Sequence, residues 1–424
     1  MTVLILFVSL FLFFVLGVPI AYSLGLSSAL AMVSSGINIV TLAQTTYGGL
    51  NSFPYLCLPF FITAGNLMAG GGISKRLINF ANAYLGHFRG GLAIVAVVAC
   101  MFFAAVSGSA AATCAAVGAI MIPAMKEQGY DNDFSSATIA TASTAGIIIP
   151  PSVPMVIYCV TVGASVGTCF IAGVIPGILY CMSLVVLAVV RCRKAGYETL
   201  PKKSWSERGK ATLQGIIPIM MPVIILGGIY GGVFTATEAS VVACVYGLLV
   251  SLLIFREMTF KDYLRVFLES AATAGGLLCL LGVANSFGYV LARERIPQML
   301  TSFFMNVTNS KISFLLIVNV LFLVIGMIME TSPAIIILAP MLTPVAQAYG
   351  ISLIQFGVMM IMNCAIGMAT PPFGLSLFVI TNISKAPFIN VVKRMIPCFI
   401  IMIIVLLLIT YIPGLSMFLP SLMK

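Results

Sequence analysis

The chain has 424 residues, of which 61% are hydrophobic and only 8% charged, and its mean hydropathy is +1.16. A soluble globular chain carries about 25% charged residues, so a soluble multidomain protein is excluded and a polytopic membrane protein is expected. The net charge of +10 falls in loops between apolar runs, which points to membrane topology and away from nucleic acid.

The first apolar run, 2–16, has no cationic leader and no small-residue cleavage site, and reads as a retained span. Further spans are predicted at 19–34 and 53–70. The only histidine, His87, lies beside Arg89 in an amphipathic stretch and reads as a surface or headgroup residue. Segment 91–126 differs, because its midpoint VSGSAAAT sets small polar residues at the centre of an apolar hairpin. Two arms of about 15 residues reach only roughly 22 Å each at 1.5 Å per residue. A re-entrant helical hairpin is predicted, with Ser107, Gly108 and Ser109 at its tip. The next span, 133–162, is interrupted by Pro150-Pro151, four residues after Gly146 and just before Ser152. A fifth span at 168–190 leads into the basic stretch 191–210, RCRKAGYETLPKKSWSERGK, read as an extramembrane linker.

The second half repeats the first at an offset of 221 residues. Pro123 meets Pro344, Gly129 meets Gly350 and Gly146 meets Gly367. Pro150-Pro151 meet Pro371-Pro372, and Pro176 meets Pro397. Upstream, LGVPIA (16–21) resembles GGVFTA (231–236) across a small gap. Residues 1–190 and 211–424 therefore form two repeats. The second has its hairpin at about 312–346, with METSPA at the tip, and its broken helix at about 353–385. Five crossings per repeat is odd, so the repeats run in opposite directions. The predicted fold is all-α, with two inverted-topology repeats, each of about five transmembrane helices plus one re-entrant hairpin and one broken helix. With the basic linker in the cytoplasm, 17 of the 21 Lys and Arg residues fall inside, leaving Arg293, Arg295, Lys311 and Lys424 outside. Both termini are then on the outer face.

A proline pair inside a span removes amide donors and frees carbonyls, which lipid does not tolerate unless those groups line a protein cavity. Inverted repeats with discontinuous helices are the pattern of secondary transporters. Freed carbonyls and hydroxyls suit Na⁺, so two cation sites are expected. One joins Ser107 and Ser109 to Gly146 and Pro150; the other joins Thr331 and Ser332 to Gly367 and Thr370. No Lys or Arg lies in the tips or breaks. An anionic substrate would rest on backbone amides and on Ser107, Gly108, Ser152 and Thr370, which suits a small organic anion. The competing reading is that these hydroxyls only satisfy local carbonyls. Glu330 is a further candidate, with helix capping as its alternative role, and Glu238 reads as a helix-start acid. The eleven cysteines show no metal-type spacing and no catalytic constellation is present, so the chain is not expected to be an enzyme.

The stretches SFPYLCLPFFITAGNLM, SGSAAAT, IIIPPSVPMVIY, TATEA and GVMMIMNCAIGMATPPFG resemble the large membrane subunit (DctM type) of TRAP transporters, the tripartite ATP-independent periplasmic transporters. The resemblance spans nearly the whole chain. It implies a bacterial inner-membrane protein of the ion transporter superfamily, taking up an organic acid of the sialic acid or C4-dicarboxylate type with Na⁺ by an elevator motion. It implies two partners, a small four-helix membrane subunit and a periplasmic substrate-binding protein. It also implies one Na⁺ site on Ser107, Ser109, Gly146, Pro150 and Ser152, and another on Thr331, Ser332, Gly367 and Thr370. The sequence departs from the family in carrying Thr113 where an acid often follows SGSA, and Glu330 where Asp is common. A stand-alone Na⁺/dicarboxylate symporter and a non-transporting membrane scaffold are the alternatives. A scaffold gains nothing from two costly helix breaks.

Overall fold

The computed structural model describes every residue except Glu198, Asn309, Phe373 and Lys424. Lys424, expected on the outer face, and Phe373, in the second break motif, therefore lie outside the described residues. The first half contains α1 (Thr2–Val15), α2 (Ile20–Ser34), α3 (Val40–Leu50), α4 (Cys57–Gly70) and α5 (Ile73–Leu85). These lead into α6 (Gly91–Ser107), α7 (Ala110–Glu127), α8 (Asn132–Ser143), α9 (Val153–Val162) and α10 (Val166–Ala195). The second half contains α11 (Trp205–Tyr230), α12 (Ala236–Leu249), α13 (Phe260–Arg293), α14 (Ile296–Val307) and α15 (Lys311–Ile328). It ends with α16 (Thr331–Ala348), α17 (Leu353–Ala369), α18 (Leu375–Ser384), α19 (Phe388–Tyr411) and α20 (Gly414–Ser421). Among the described residues, nine helices are long and apolar enough to cross a membrane.

The two halves run through the same order of elements. The hairpin α6–α7 corresponds to α15–α16, the broken helix α8–α9 to α17–α18, and α10 to α19. The amphipathic α5 corresponds to α14, and the pair α3 and α4 to the single helix α13. Packing is reciprocal. Arm α7 lies on α18 while α16 lies on α9, and α19 lies on α8 while α10 lies on α17. In the same way α4 packs on α12 and α2 on α13. This is the exchange expected of two copies related by a pseudo-two-fold axis.

The chain thus sorts into two groups. Helices α1–α4 and α11–α13 form one, and the hairpins with their broken helices and α10 and α19 form the other. The first halves of the broken helices are the centre of the second group. Every residue of α8 from Phe134 to Ser143, and of α17 from Ile354 to Ala369, is buried.

Local chemistry sets the helix ends. Gly108, at φ +62°, makes the left-handed turn between α6 and α7, a conformation open to glycine at little cost. The Ser204 amide donates to Glu207 Oε2, the Thr235 amide to Glu238 Oε2, and the Thr259 amide to Asp262 Oδ2, each at 2.8 Å. Ser204 and Thr235 return the favour by accepting from the N3 amide, closing capping boxes that start α11 and α12. Glu238 is accordingly a helix-start acid.

The structure departs from the sequence expectation in three places. Helices α3 and α5 were not anticipated, because short amphipathic helices lack the long apolar signal of a span. The hairpin arms are longer than about 15 residues, at 17 and 18 residues in the first hairpin. Much of the linker 191–210 is helical: α10 runs on to Ala195, with Arg193 and Lys194 in its last turn where cations suit the helix dipole, and α11 starts at Trp205.

Candidate functional site

The first hairpin tip is built on Ser107, the last residue of α6, and Ser109, which precedes α7. Ser109 Oγ accepts from the Ala112 amide at 3.4 Å. The Thr113 hydroxyl donates to the Ser109 carbonyl at 2.7 Å and lies 3.0 Å from Ser107 Oγ. This tip rests directly on the first break, where the Pro150–Pro151 peptide is cis. A Cβ added at Gly146 would lie 2.5 Å from the Ser109 carbonyl oxygen, and one at Gly108 would lie 2.7 Å from that of Pro151. Only glycine permits this approach at either position. Ser152 starts α9: its hydroxyl donates to the Ile147 carbonyl at 2.7 Å and accepts from the Met155 amide at 3.4 Å.

The second tip is Glu330, Thr331 and Ser332. Thr331 and Ser332 are buried in the first turn of α16, and the Thr331 hydroxyl donates to Met368 Sδ at 3.2 Å. Gly367 faces Gly326 of the hairpin's first arm so closely that a Cβ on Gly367 would lie 2.4 Å from the Gly326 carbonyl carbon, and one on Gly326 would lie 3.2 Å from the Gly367 Cα. The Thr370 hydroxyl donates to the Ile366 carbonyl at 2.7 Å. The Pro371–Pro372 peptide is cis, as in the first break.

Both tips open on one cavity of about 480 Å³. Its hairpin side is Ser107 to Ala112 and Glu330 to Ser332, together with Val153, Pro154 and Leu375 at the starts of α9 and α18. The opposite side belongs to the other helix group: Ile62, Gly65 and Asn66 of α4, and Ala272, Thr273, Gly276 and Leu277 of α13. Of the expected site residues, Ser107, Gly108, Ser109, Glu330, Thr331 and Ser332 line this space. Gly146, Pro150, Ser152, Gly367 and Thr370 instead sit behind the tips, in the breaks. Asn66 and Thr273 were missed by sequence reasoning. Asn66 Nδ2 donates to Ser270 Oγ at 2.9 Å, so α4 and α13 are tied beside the cavity. A polar residue in the middle of the apolar run 53–70 was the available signal for Asn66. Among the described lining residues, Glu330 is the one ionisable side chain.

Two helical hairpins meeting two proline-broken helices around a shared cavity define a multi-pass membrane protein of the broken-helix transporter class. The chain belongs to the family described as the tripartite ATP-independent periplasmic transporter, DctM component, whose profile matches residues 7–415. It is 40% identical to the C4-dicarboxylate TRAP transporter large permease protein DctM of Vibrio cholerae, over 100% of this chain and 98% of that one. It is also 40% identical to the isethionate TRAP transporter permease protein DctMQ of Oleidesulfovibrio alaskensis, covering 96% of this chain but 64% of that one. The chain thus spans about two thirds of that relative's length. Among solved structures, the Alcanivorax borkumensis YdaH transporter superposes with a TM-score of 0.67 over 90% of each chain at 15% identity, a likeness of fold. These relatives are transporter permeases, not enzymes.

Proposed function

We propose that this chain is the transport-path subunit of a TRAP system that takes up a small organic acid, of the sialic acid or C4-dicarboxylate type, with Na⁺. The observation that carries the reading is the single cavity walled by both hairpin tips on one side and by α4 and α13 on the other. A wall divided between two helix groups lets one group carry its half of the site past the other, which is the requirement of an elevator motion. Support for Na⁺ comes from the donor set. Hydroxyls of Ser107, Ser109, Thr331 and Ser332 and backbone oxygens at the breaks are hard oxygen ligands. Gly146 and Gly367 bring backbone close enough for such ligands to converge. The donors fit the ion, with Ser107, Ser109, Gly146 and Pro150 holding one cation and Thr331, Ser332, Gly367 and Thr370 the other.

Family membership supports two partners, a small four-helix membrane subunit and a periplasmic binding protein that delivers the substrate. The name of the isethionate relative joins M and Q, which supports a small subunit as a partner of the large one. The excess of basic residues on one side supports opposed repeats in the bacterial inner membrane, with both termini periplasmic. The test is uptake of labelled sialic acid and succinate into proteoliposomes. This chain would be assayed alone, with its small subunit, and with the binding protein added, with and without an inward Na⁺ gradient. Uptake that needs Na⁺ and both partners is expected. Robust uptake by this chain alone would replace the tripartite reading with a stand-alone symporter, and no uptake under any condition would leave a scaffold.

A further inference from the structure

We propose that Arg208, near the start of α11, holds the phosphate of an anionic phospholipid headgroup. Only the membrane-spanning character of α11 is needed for it, not the transport reading above.

The first ground is a buried cation with nothing to bind. Arg208 is 7% exposed, and its Nε and Nη2 have no hydrogen-bond partner. The ion pairs among the described residues use Arg76, Arg265 and Arg394. The acid next to it in the chain, Glu207, accepts from the Ser204 amide at 2.8 Å and the Ser204 hydroxyl at 2.7 Å. A charge out of water is costly unless an opposite charge or hydrogen-bond acceptors meet it. Arg208 also lies four residues after Ser204, the cap of α11, at the end of a helix where the macrodipole disfavours a cation. One anion at this place relieves all three costs.

The second ground is how the guanidinium is held. Its Cζ lies 5.6 Å from the centroid of the Tyr84 ring and 5.3 Å from that of Trp205. The Thr212 hydroxyl donates to the Arg208 carbonyl at 2.8 Å, so the Tyr84 hydroxyl donates to Thr212 at 2.7 Å and its ring is fixed. Trp205 is the first residue of α11, so the guanidinium reaches back to the open end of the helix. There the Trp205 and Ser206 amides have no intrahelical acceptor. The ring faces attract the charge but take none of its N–H bonds. A clamp between α5 and α11 therefore leaves the donors unmet. A guanidinium fork beside free helix amides is a donor set that phosphate satisfies.

The third ground is the source of that phosphate. Trp205, the one tryptophan of the chain, is 81% exposed. Leu213, Ile216 and Val223 are exposed further along α11. An apolar exposed face on a span faces lipid, and tryptophan at its start marks headgroup depth. Residues 191–210 carry seven Lys or Arg against two acids. Such a basic segment beside a span draws anionic lipid.

The single tryptophan makes the experiment optical, because a ligand on the guanidinium changes the surroundings of the Trp205 ring. The purified full chain in neutral detergent is titrated with short-chain phosphatidylglycerol, with phosphatidylcholine and with inorganic phosphate. Trp205 emission and Tm are recorded. Phosphatidylglycerol should give a saturable emission change and a higher Tm, with the other two at least about tenfold weaker. Arg208→Gln should weaken phosphatidylglycerol binding at least about tenfold, the loss of one hydrogen bond to a charged group. Arg208→Lys keeps the charge but not the fork and should weaken it about threefold; it carries the comparison should Arg208→Gln not fold. Lys210→Gln removes an equal but exposed charge and should change binding less than about twofold. Equal losses in the Arg208 and Lys210 variants, or equal binding of phosphatidylcholine, would mean diffuse attraction and overturn the site. Inorganic phosphate binding as tightly as phosphatidylglycerol overturns the lipid as its source. Loss of the phosphatidylglycerol response on adding the small subunit would give the guanidinium to a partner carboxylate and overturn it as well.

Discussion

Ser109 and Glu330 stand 221 residues apart at the same position of the two hairpin tips, and only Ser109 caps the helix it precedes. The pseudo-symmetry of the backbone is thus not kept by the side chains where both tips face the cavity. One tip uses its side chain to hold its own structure, while the other leaves its side chain to the cavity.

A stability contrast follows. Ser109→Ala removes a cap and should cost about 1 kcal/mol. Glu330→Ser adds the missing cap and should leave stability unchanged or raise it by up to about 1 kcal/mol. Thermal unfolding of the purified chain in detergent reads both. Destabilisation of Glu330→Ser as large as that of Ser109→Ala would mean that Glu330 already stabilises its helix.

The contact of Gly146 with Ser109 gives a second outcome. An added methyl would sit 2.5 Å from the Ser109 carbonyl oxygen, 2.6 Å from its carbon and 2.9 Å from the Ala110 nitrogen, all backbone atoms. Gly146→Ala should therefore cost about 1–3 kcal/mol by overpacking, and should weaken the Na⁺ dependence of uptake more than it lowers membrane insertion. Gly227, in α11 with nothing within 4 Å of its added Cβ, is the control. Gly227→Ala should be neutral or stabilising by up to about 1 kcal/mol. Equal effects of the two substitutions on Na⁺ dependence would remove the close approach as the cause.

Ser107 is held 3.0 Å from the Thr113 hydroxyl, which in turn is bound to the Ser109 carbonyl. Ser107→Ala deletes one oxygen from the first cation site proposed above and one partner from this chain of hydroxyls. The Na⁺ concentration for half-maximal uptake should rise roughly 5–10-fold, the equivalent of about 1–1.4 kcal/mol or one ordinary hydrogen bond, with normal insertion. An unchanged Na⁺ response would move the first cation site away from the Ser107 oxygen.

Much of this architecture was legible in the sequence because prolines and glycines act locally. Pro150-Pro151 and Pro371-Pro372 forbid continuous helix wherever they occur, and SGSAAAT has to turn. The repeat carried the rest, since a recurrence at 221 residues locates the second hairpin once the first is recognised. Asn66 lay inside the stretch SFPYLCLPFFITAGNLM and stood out as a polar residue in an apolar run, but neither it nor Thr273 could be placed at the cavity from sequence, because that placement arises from α4 and α13 packing against hairpins distant in sequence. Helices α3 and α5 escaped for a different reason: each is too short and too polar to register as a span. The division between Ser109 as a cap and Glu330 as an uncommitted carboxylate needed coordinates, because both residue types are acceptable before a helix.

The second break allows the sharpest separation of backbone chemistry from side-chain chemistry. Helix α17 stops at Ala369 and α18 starts at Leu375. Two of the residues between them, Pro371 and Pro372, offer no amide hydrogen. Replacing both with Ala restores two donors and removes the ring clash with the preceding turn, so the chain can continue as helix at a saving of up to about 3 kcal/mol per proline. A continuous helix would consume the break carbonyls proposed above as cation ligands and would shift Thr370 and Gly374, which now make a tight turn through the Gly374 amide and the Thr370 carbonyl at 3.1 Å. Pro371→Ala/Pro372→Ala should therefore insert and fold with equal or greater thermal stability, yet lose most Na⁺-driven uptake. Stability and transport should move in opposite directions, as expected where a functional break costs stability. Wild-type uptake rates in that double variant would show that the break is held by the surrounding packing and not by its prolines.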